Sequence, residues 1–169
     1  MRRLTLVRHG QAEWQAAALA DFDRPLTRRG RAEAASTARR LRAREDEPPP
    51  GLLLTSPAVR ARQTAEILAQ ELDLPARAVK TVDALYLAPP AEIRAAIAAT
   101  GGRVGHLLIV GHNPGLSELA RELAPEARLD GLATGACCRL TFDAPDWRSL
   151  GIASEAACEA PGRLFDLWH

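Results

Sequence analysis

The sequence predicts an α/β protein: a three-layer α/β/α sandwich with a largely parallel central sheet, built as a single domain over residues 1–169. Three observations predict it. Short apolar strand-like runs alternate with helix-like stretches, the pattern of a parallel sheet covered on both sides. Two of the runs, Leu4-Thr5-Leu6-Val7 and His106-Leu107-Leu108-Ile109-Val110, read as buried strands, and each leads directly into a polar cluster bearing a histidine. The chain has 169 residues, which favours one domain that hides roughly 70% of the surface its unfolded chain exposes.

Each element follows in order. Residues 3–8 form the first strand. Residues 11–27 carry Asp21, Asp23 and Pro25 with weak periodicity and read as loop or broken helix. Thr27 is suited to N-cap a helix from about Arg28 to Ala43, with Ala32, Ala35 and Leu41 on its apolar stripe and the arginines on its wet side. Glu45 to Pro50 is a charged, proline-rich turn. Leu52-Leu53-Leu54-Thr55 is the second strand. Ser56-Pro57 opens a helix to about Glu71, Ser as N-cap and Pro at the first helical position. Residues 77–82 form a short strand and 83–90 a loop with Asp83 and Tyr86. A helix from about Ala91 to Ala99 ends at Gly101-Gly102. Residues 106–110 are the central strand, and Pro114 to Leu123 is a helix. Cys137 to Phe142 and Leu164 to Trp168 read as two final strands joined by a loop. One of that pair is free to run antiparallel.

Composition excludes several classes. Net charge is +1, so no global field favours nucleic acid or anionic lipid. The arginine-rich run from Arg28 to Arg44 includes Glu33 and lacks an aromatic platform, so it reads as a solvated helix. No stretch approaches the ~20 apolar residues of a membrane span. The three cysteines, Cys137, Cys138 and Cys158, are odd in number with two adjacent, which does not look like a disulfide framework. A reducing cytoplasm is the natural expectation. No apolar stripe is left over, so a monomer is expected.

The chemistry gathers where strands end. Ligands of open α/β folds sit beyond the carboxyl ends of the strands. Arg8-His9-Gly10 and Gly111-His112-Asn113-Pro114 follow two such ends, and Arg60 lies in the first turns of the helix after a third. Guanidinium forks match phosphate oxygens and stay charged. An imidazole can attack phosphorus in line to give a phosphohistidine that water opens. His9 must then be neutral at the attacking nitrogen, with a backbone carbonyl on the other nitrogen fixing the tautomer. A protonated His112 would add a donor. Gly10 offers a sharp turn and room for a phosphate. Trp14 either lines a mouth or packs; Trp147 and Trp168 read as packing. His106 reads as structural and His169 as a fraying end.

Arg8-His9-Gly10, Ser56-Pro57-Ala58-Val59-Arg60-Ala61-Arg62-Gln63-Thr64-Ala65 and Val110-Gly111-His112-Asn113 resemble the histidine phosphatase superfamily, with its phosphoglycerate mutase-like fold. Arg24-Pro25-Leu26-Thr27-Arg28-Arg29-Gly30, Asn113-Pro114-Gly115 and Ala133-Thr134-Gly135-Ala136 are similar to its SixA-type phosphohistidine phosphatase branch. The resemblance implies that His9 is the phosphorylated nucleophile and that Arg8, Arg60 and His112 form the phosphate pocket. It implies no metal and no cofactor.

Two departures matter. Ala12 stands where larger branches carry Ser, Thr or Asn. The loop at 83–90 has no glutamate where those branches carry a general acid. Such an acid is typically worth 10²–10⁴-fold, about 3–5.5 kcal/mol, and alkyl phosphates need it most. Phosphohistidine has a weak P–N bond and suits a site without one. The expected substrate is therefore protein phosphohistidine, a phosphorelay histidine domain being one source, or an activated small metabolite. Asp21, Asp23 and Asp83 are the nearby carboxylates, with Asp23 expected as a substrate contact at the rim. The alternatives are a small-molecule phosphomonoesterase or mutase of the same superfamily and a non-catalytic module that binds phosphorylated partners.

Overall fold

The computed structural model describes residues 1–14 and 18–162. The chain runs β1 (Arg2–Arg8), α1 (Arg28–Arg42), β2 (Leu52–Thr55), α2 (Val59–Glu71), β3 (Val79–Thr81), α3 (Pro90–Ala98), β4 (His106–Gly111), α4 (Gly115–Leu123), β5 (Cys137–Phe142) and β6 (Glu155–Glu159). The six strands form one sheet in the order β3-β2-β4-β1-β5-β6. The first four strands run parallel. β5 is antiparallel to β1, and β6 to β5. The three-layer sandwich with a largely parallel sheet is thus the observed architecture.

Strand alternation sorts the side chains into the two outer layers. Leu4, Leu6, Leu107 and Ile109 face α3 and α4, meeting Ile93, Ile97, Leu116 and Leu119. Val7, Leu108 and Val110 face α1 and α2, meeting Ala38, Ala61, Ala65 and Leu68. Burial on both faces explains why β1 and β4 read as near-continuous apolar runs.

The register aligns three strand ends. Arg8 pairs with Gly111, and Thr55 with Val110. His9, Ser56 and His112 therefore leave the sheet at one rim. The backbone fixes them there: His9 N donates to Gly111 O (3.1 Å) and Ser56 N to Val110 O (3.1 Å).

Gly10 has a role other than the expected one. Its φ is not in the left-handed region, and its missing side chain does not open space for a ligand. A Cβ at Gly10 would overlap the carbonyl of Gly30 at the start of α1, and a Cβ at Gly30 would overlap the carbonyl of Gln11. The two glycines let the segment after β1 lie against the helix backbone. Thr27 caps that helix as the sequence indicated, its hydroxyl accepting from Gly30 N at 3.0 Å.

Four other expectations are corrected. The buried stripe of α1 is Gly30, Glu33, Ala34, Ser36, Thr37 and Ala38, rather than one through Ala32 and Ala35. Polar residues on the inner face hid it: Thr37 donates to Gly135 O at 2.7 Å, and Glu33 is a buried carboxylate. α2 begins at Val59, so Ser56 is not its N-cap and Pro57 is not its first residue. Glu155–Glu159, read as loop, is the edge strand β6; the expected strand at Leu164 to Trp168 lies outside the described residues, as do Trp168 and His169. Cys138 and Cys158 form a disulfide. They face each other across β5 and β6, a pairing hidden from the sequence because β6 was not recognised. Cys137 remains a buried free thiol, its pKa pushed up to about 11 by burial. His106 is structural, with Nε2 2.9 Å from Thr5 Oγ1 and Nδ1 2.8 Å from Pro48 O.

Gly30→Ala should destabilise the protein by about 1–3 kcal/mol, because the new methyl overlaps backbone rather than a movable side chain. Gly101→Ala meets open space and should stay within about 0.5 kcal/mol of wild type. Urea unfolding of the two variants checks the difference.

Candidate active site

Five segments meet at the rim. Arg8 ends β1 and His9 follows it, Arg60 lies on the first turn of α2, and His112 comes just after β4. The loop before α1 brings Asp21 and Arg24, and residues 132–136 close the far side. Together they line an open cleft of about 640 Å³ that includes Arg8, His9, Asp21, Arg24, Arg60 and His112. The two histidine rings lie 5.2 Å apart between centroids.

His9 is buried. Its Nδ1 is 2.7 Å from Gly10 O, which accepts only if Nδ1 carries the proton. Nε2 is left with its lone pair, and Arg60 Nε donates toward it at 3.3 Å. Burial pushes the His9 pKa down to about 4, outweighing the Gly10 hydrogen bond that favours the charged form; Arg60 and Arg8 push in the same direction as burial. His9 is neutral near pH 7, with the unprotonated nitrogen beside the guanidinium.

His112 is arranged the other way round. Its Nε2 lies 2.7 Å from Ser56 Oγ, and its Nδ1 lies 3.4 Å from Arg60 Nη2. With a cationic donor facing Nδ1, the proton sits on Nε2 and is donated to Ser56. The Ser56 hydroxyl also accepts from Ala58 N at 3.2 Å, so it holds His112 rather than capping α2. Burial lowers the His112 pKa to about 3, helped by His9 and Arg60. The protonated His112 considered from the sequence is thus disfavoured in the unliganded site.

Arg60 is 2% exposed. Nη1 donates to Asp21 O at 2.7 Å and Nη2 to Asp21 Oδ2 at 3.0 Å. Asp21 Oδ2 also accepts from Tyr86 at 2.7 Å, and Oδ1 accepts from Arg24 Nε at 3.1 Å and Nη2 at 2.9 Å. Burial opposes ionisation of Asp21, but the hydrogen bonds from Tyr86 and Arg24 and the charge of Arg60 hold its pKa at about 2. The Tyr86 ring stands edge-on to His112, with centroids 5.5 Å apart. Arg8 donates from Nη1 to Leu132 O at 3.1 Å; burial and Arg60 lower its pKa while Glu33 opposes them. Arg8 nonetheless stays charged at neutral pH.

The structure brings Arg8, His9, Arg60 and His112 into one cleft. Gly10 is not among its lining residues. Asp23 is exposed and does not line the cleft either. The short 3-10 turn Asp21–Asp23 directs Asp21 inward and leaves Asp23 outside. Asp83 is exposed and also lies away from the cleft. Trp14, 91% exposed, stands on the cleft wall rather than packing.

Two contributors were not singled out in the sequence. Arg24 lines the cleft, and the Asp21/Arg24 spacing of three was the signal for their pairing. Glu33 accepts from Gln11 N at 2.8 Å and from Thr134 Oγ1 at 3.1 Å. It thereby ties the segment after His9 to the loop that holds Arg8.

A six-stranded α/β/α sandwich with this rim defines the phosphoglycerate mutase-like fold. Residues 4–85 match the histidine phosphatase superfamily (branch 1). The chain is 30% identical to a solved structure of a candidate phosphohistidine phosphatase SixA from Agrobacterium tumefaciens, with TM-score 0.74 and coverage of 82% of this chain and 90% of that one. It is 27% identical to the protein histidine phosphatase SixA solved with tungstate, with TM-score 0.76 and coverage of 94% and 97%. An uncharacterized protein of Mycobacterium tuberculosis is 42% identical over 106 residues, which span 63% of this chain and 63% of that relative. The chain belongs to the histidine phosphatase superfamily, and its likeness within it is to the SixA type.

The buried imidazoles have a measurable signature. Side-chain NMR of the unliganded protein should give His9 and His112 titration midpoints below pH 5, against about 6.5 for a free imidazole. Their folded pKa values are depressed, so their contribution is complete above pH 6.5. It is lost as pH falls from there toward 4 and then 3, because the unfolded chain binds the proton first. Unfolding free energy should fall by about 1.4 kcal/mol per pH unit for each such histidine between pH 6 and 5.

Proposed function

We propose that the protein is a phosphatase that hydrolyses protein phosphohistidine through a covalent phosphohistidine on His9. The observation that carries this reading is the state of His9: a neutral imidazole, its Nδ1 engaged by Gly10 O and its Nε2 turned toward Arg60. With the proton on Nδ1, Nε2 is the atom able to attack phosphorus, and the Arg60 guanidinium stands beside it where it could hold the phosphoryl oxygens. In the proposed reaction His9 Nε2 forms a bond to phosphorus as the substrate P–N bond breaks. The departing imidazole keeps the bonding pair and takes a proton from solvent. Water then attacks the phosphorus on His9, releasing phosphate and restoring the neutral ring. Arg8 and Arg60 offset the charge on the equatorial oxygens.

The choice of substrate rests on what surrounds the nucleophile. Tyr86 and Asp21 occupy the side of the site contributed by the 83–90 loop and the 3-10 turn, and no glutamate is present in that loop. Asp21, with its pKa at about 2, is a carboxylate acceptor rather than an acid in the resting site. A leaving group that departs readily suits this arrangement, which favours phosphoramidates over alkyl phosphates. The open cleft, with Trp14 and Leu87 exposed on its wall, suits a protein-borne phosphoryl group. The likeness to SixA proteins supports the same substrate class.

A panel of phosphohistidine protein, phosphoramidate, aryl phosphate and sugar phosphates tests the proposal. Phosphohistidine protein and phosphoramidate should be the fastest; faster turnover of sugar phosphates would favour a small-molecule phosphomonoesterase instead. His9→Ala should abolish turnover and the acid-labile phosphate trapped on the enzyme by a rapid quench. Trapped phosphate that survives in His9→Ala would remove His9 from the role. Arg60→Ala should cost roughly 2–5 kcal/mol in kcat/KM by leaving phosphate charge unpaired.

A further inference from the structure

We propose that the Asp21 carboxylate is a resident anion of the phosphate pocket, which an incoming phosphoryl group must displace from Arg60. The inference rests on the reading of this cleft as a phosphoryl site and deepens it, because it says what sets the affinity of that site.

A guanidinium has five N–H donors. On Arg60 one meets His9 Nε2, one the backbone oxygen of Asp21, and one Asp21 Oδ2; Nη2 also faces His112 Nδ1. The edge of the fork that would grip two phosphate oxygens is therefore already taken. It is taken by an oxyanion, and by one that lines the same cleft. Phosphate and carboxylate cannot share that edge without placing like charges in contact. Arg60 itself has nowhere to go, since it is 2% exposed and enclosed by His9 and His112.

The carboxylate can leave at modest cost. Its Oδ1 is held by both Nε and Nη2 of Arg24, whose side chain is on the surface side of the cleft. Rotation away from Arg60 keeps that pair. The Asp21 backbone carbonyl remains on Arg60 Nη1 and keeps the turn in place. What is lost is the contact to Arg60 Nη2 and the hydrogen bond from Tyr86. The exchange therefore raises the charge a bound anion must bring, and it returns a competitor to Arg60 when phosphate is the product. Asp21 thus weakens binding of anions and speeds release of phosphate.

Calorimetric titration of the full chain with inorganic phosphate, and separately with tungstate, tests this without turnover. Asp21→Asn should bind both anions more tightly than wild type, on the order of tenfold, the effect of removing one close like charge near the surface. Tyr86→Phe, which removes one anchor of the carboxylate, should tighten both by a smaller factor. A residue that merely supported Arg60 would show the opposite sign. Unchanged or weaker binding in Asp21→Asn overturns the proposal. Should Asp21→Asn fail to fold, Tyr86→Phe decides alone, tighter binding supporting the proposal and unchanged or weaker binding overturning it. Failure of the phosphohistidine preference in the substrate panel would leave these binding results standing, so the two proposals fail separately.

Discussion

The parallel pairing of β1 with β4, with Arg8 opposite Gly111, is the constraint on which the site depends. It sets the two histidines at equal height on one rim and leaves their rings 5.2 Å apart. A slip of one residue would turn Leu4, Leu6 and Val7 to the wrong faces. The core therefore enforces the register, and the site inherits it. The loop at 132–136 adds a second lock: Gly135 N donates to Arg8 O and His9 O at 3.1 and 3.0 Å, and Arg8 N donates to Ala136 O at 3.1 Å. Gly135 adopts φ +71 there, and a Cβ would press on Glu33. Both the conformation and the close approach call for glycine.

Burying cations beside imidazoles has an electrostatic consequence. Arg60, itself 2% exposed, cannot be left uncompensated, since an unpaired buried charge is costly. Asp21 compensates it, and the charge of Glu33 favours the cationic form of Arg8. Burial, helped by the nearby cations, holds both imidazoles neutral. Neutral His9 is what nucleophilic attack needs. Burial does most to keep His9 unprotonated, and the neighbouring arginines push in the same direction.

The sequence showed the elements whose residues speak for themselves. β1, β2 and β4 were legible as apolar runs, β5 as a short alternating run, and Thr27 as an N-cap was legible because capping is local. Arg8, His9, Arg60 and His112 were legible because each follows a strand end. What was hidden depended on tertiary partners. Glu33 looked solvated because nothing local reveals that Gln11 N and Thr134 reach it. Asp23 was preferred to Asp21 because the 3-10 turn that chooses between them has no marked periodicity. Ser56 looked like a helix cap because the serine-proline pair is a helix-opening signal; its hydroxyl instead meets His112, 56 residues away in sequence. β6 reads Glu-Ala-Ala-Cys-Glu, too weak a strand signal to reveal the Cys138–Cys158 pairing.

The missing glutamate acquires meaning from what stands in the cleft instead. Asp21 offers a carboxylate, but Tyr86, Arg24 and Arg60 all donate to it and keep it ionised. To act as an acid it would have to take up a proton against those three donors. The same donors make it a good acceptor and, on the proposal above, a competitor for phosphate. On the proposed reading, Asp21 would do little to protonate a leaving group and would instead compete for Arg60. Chemistry that needs little help with departure, and more help with releasing phosphate, fits that division. On the proposed function, the residue on one side of the cleft, acid or resident carboxylate, would separate two substrate classes on one fold.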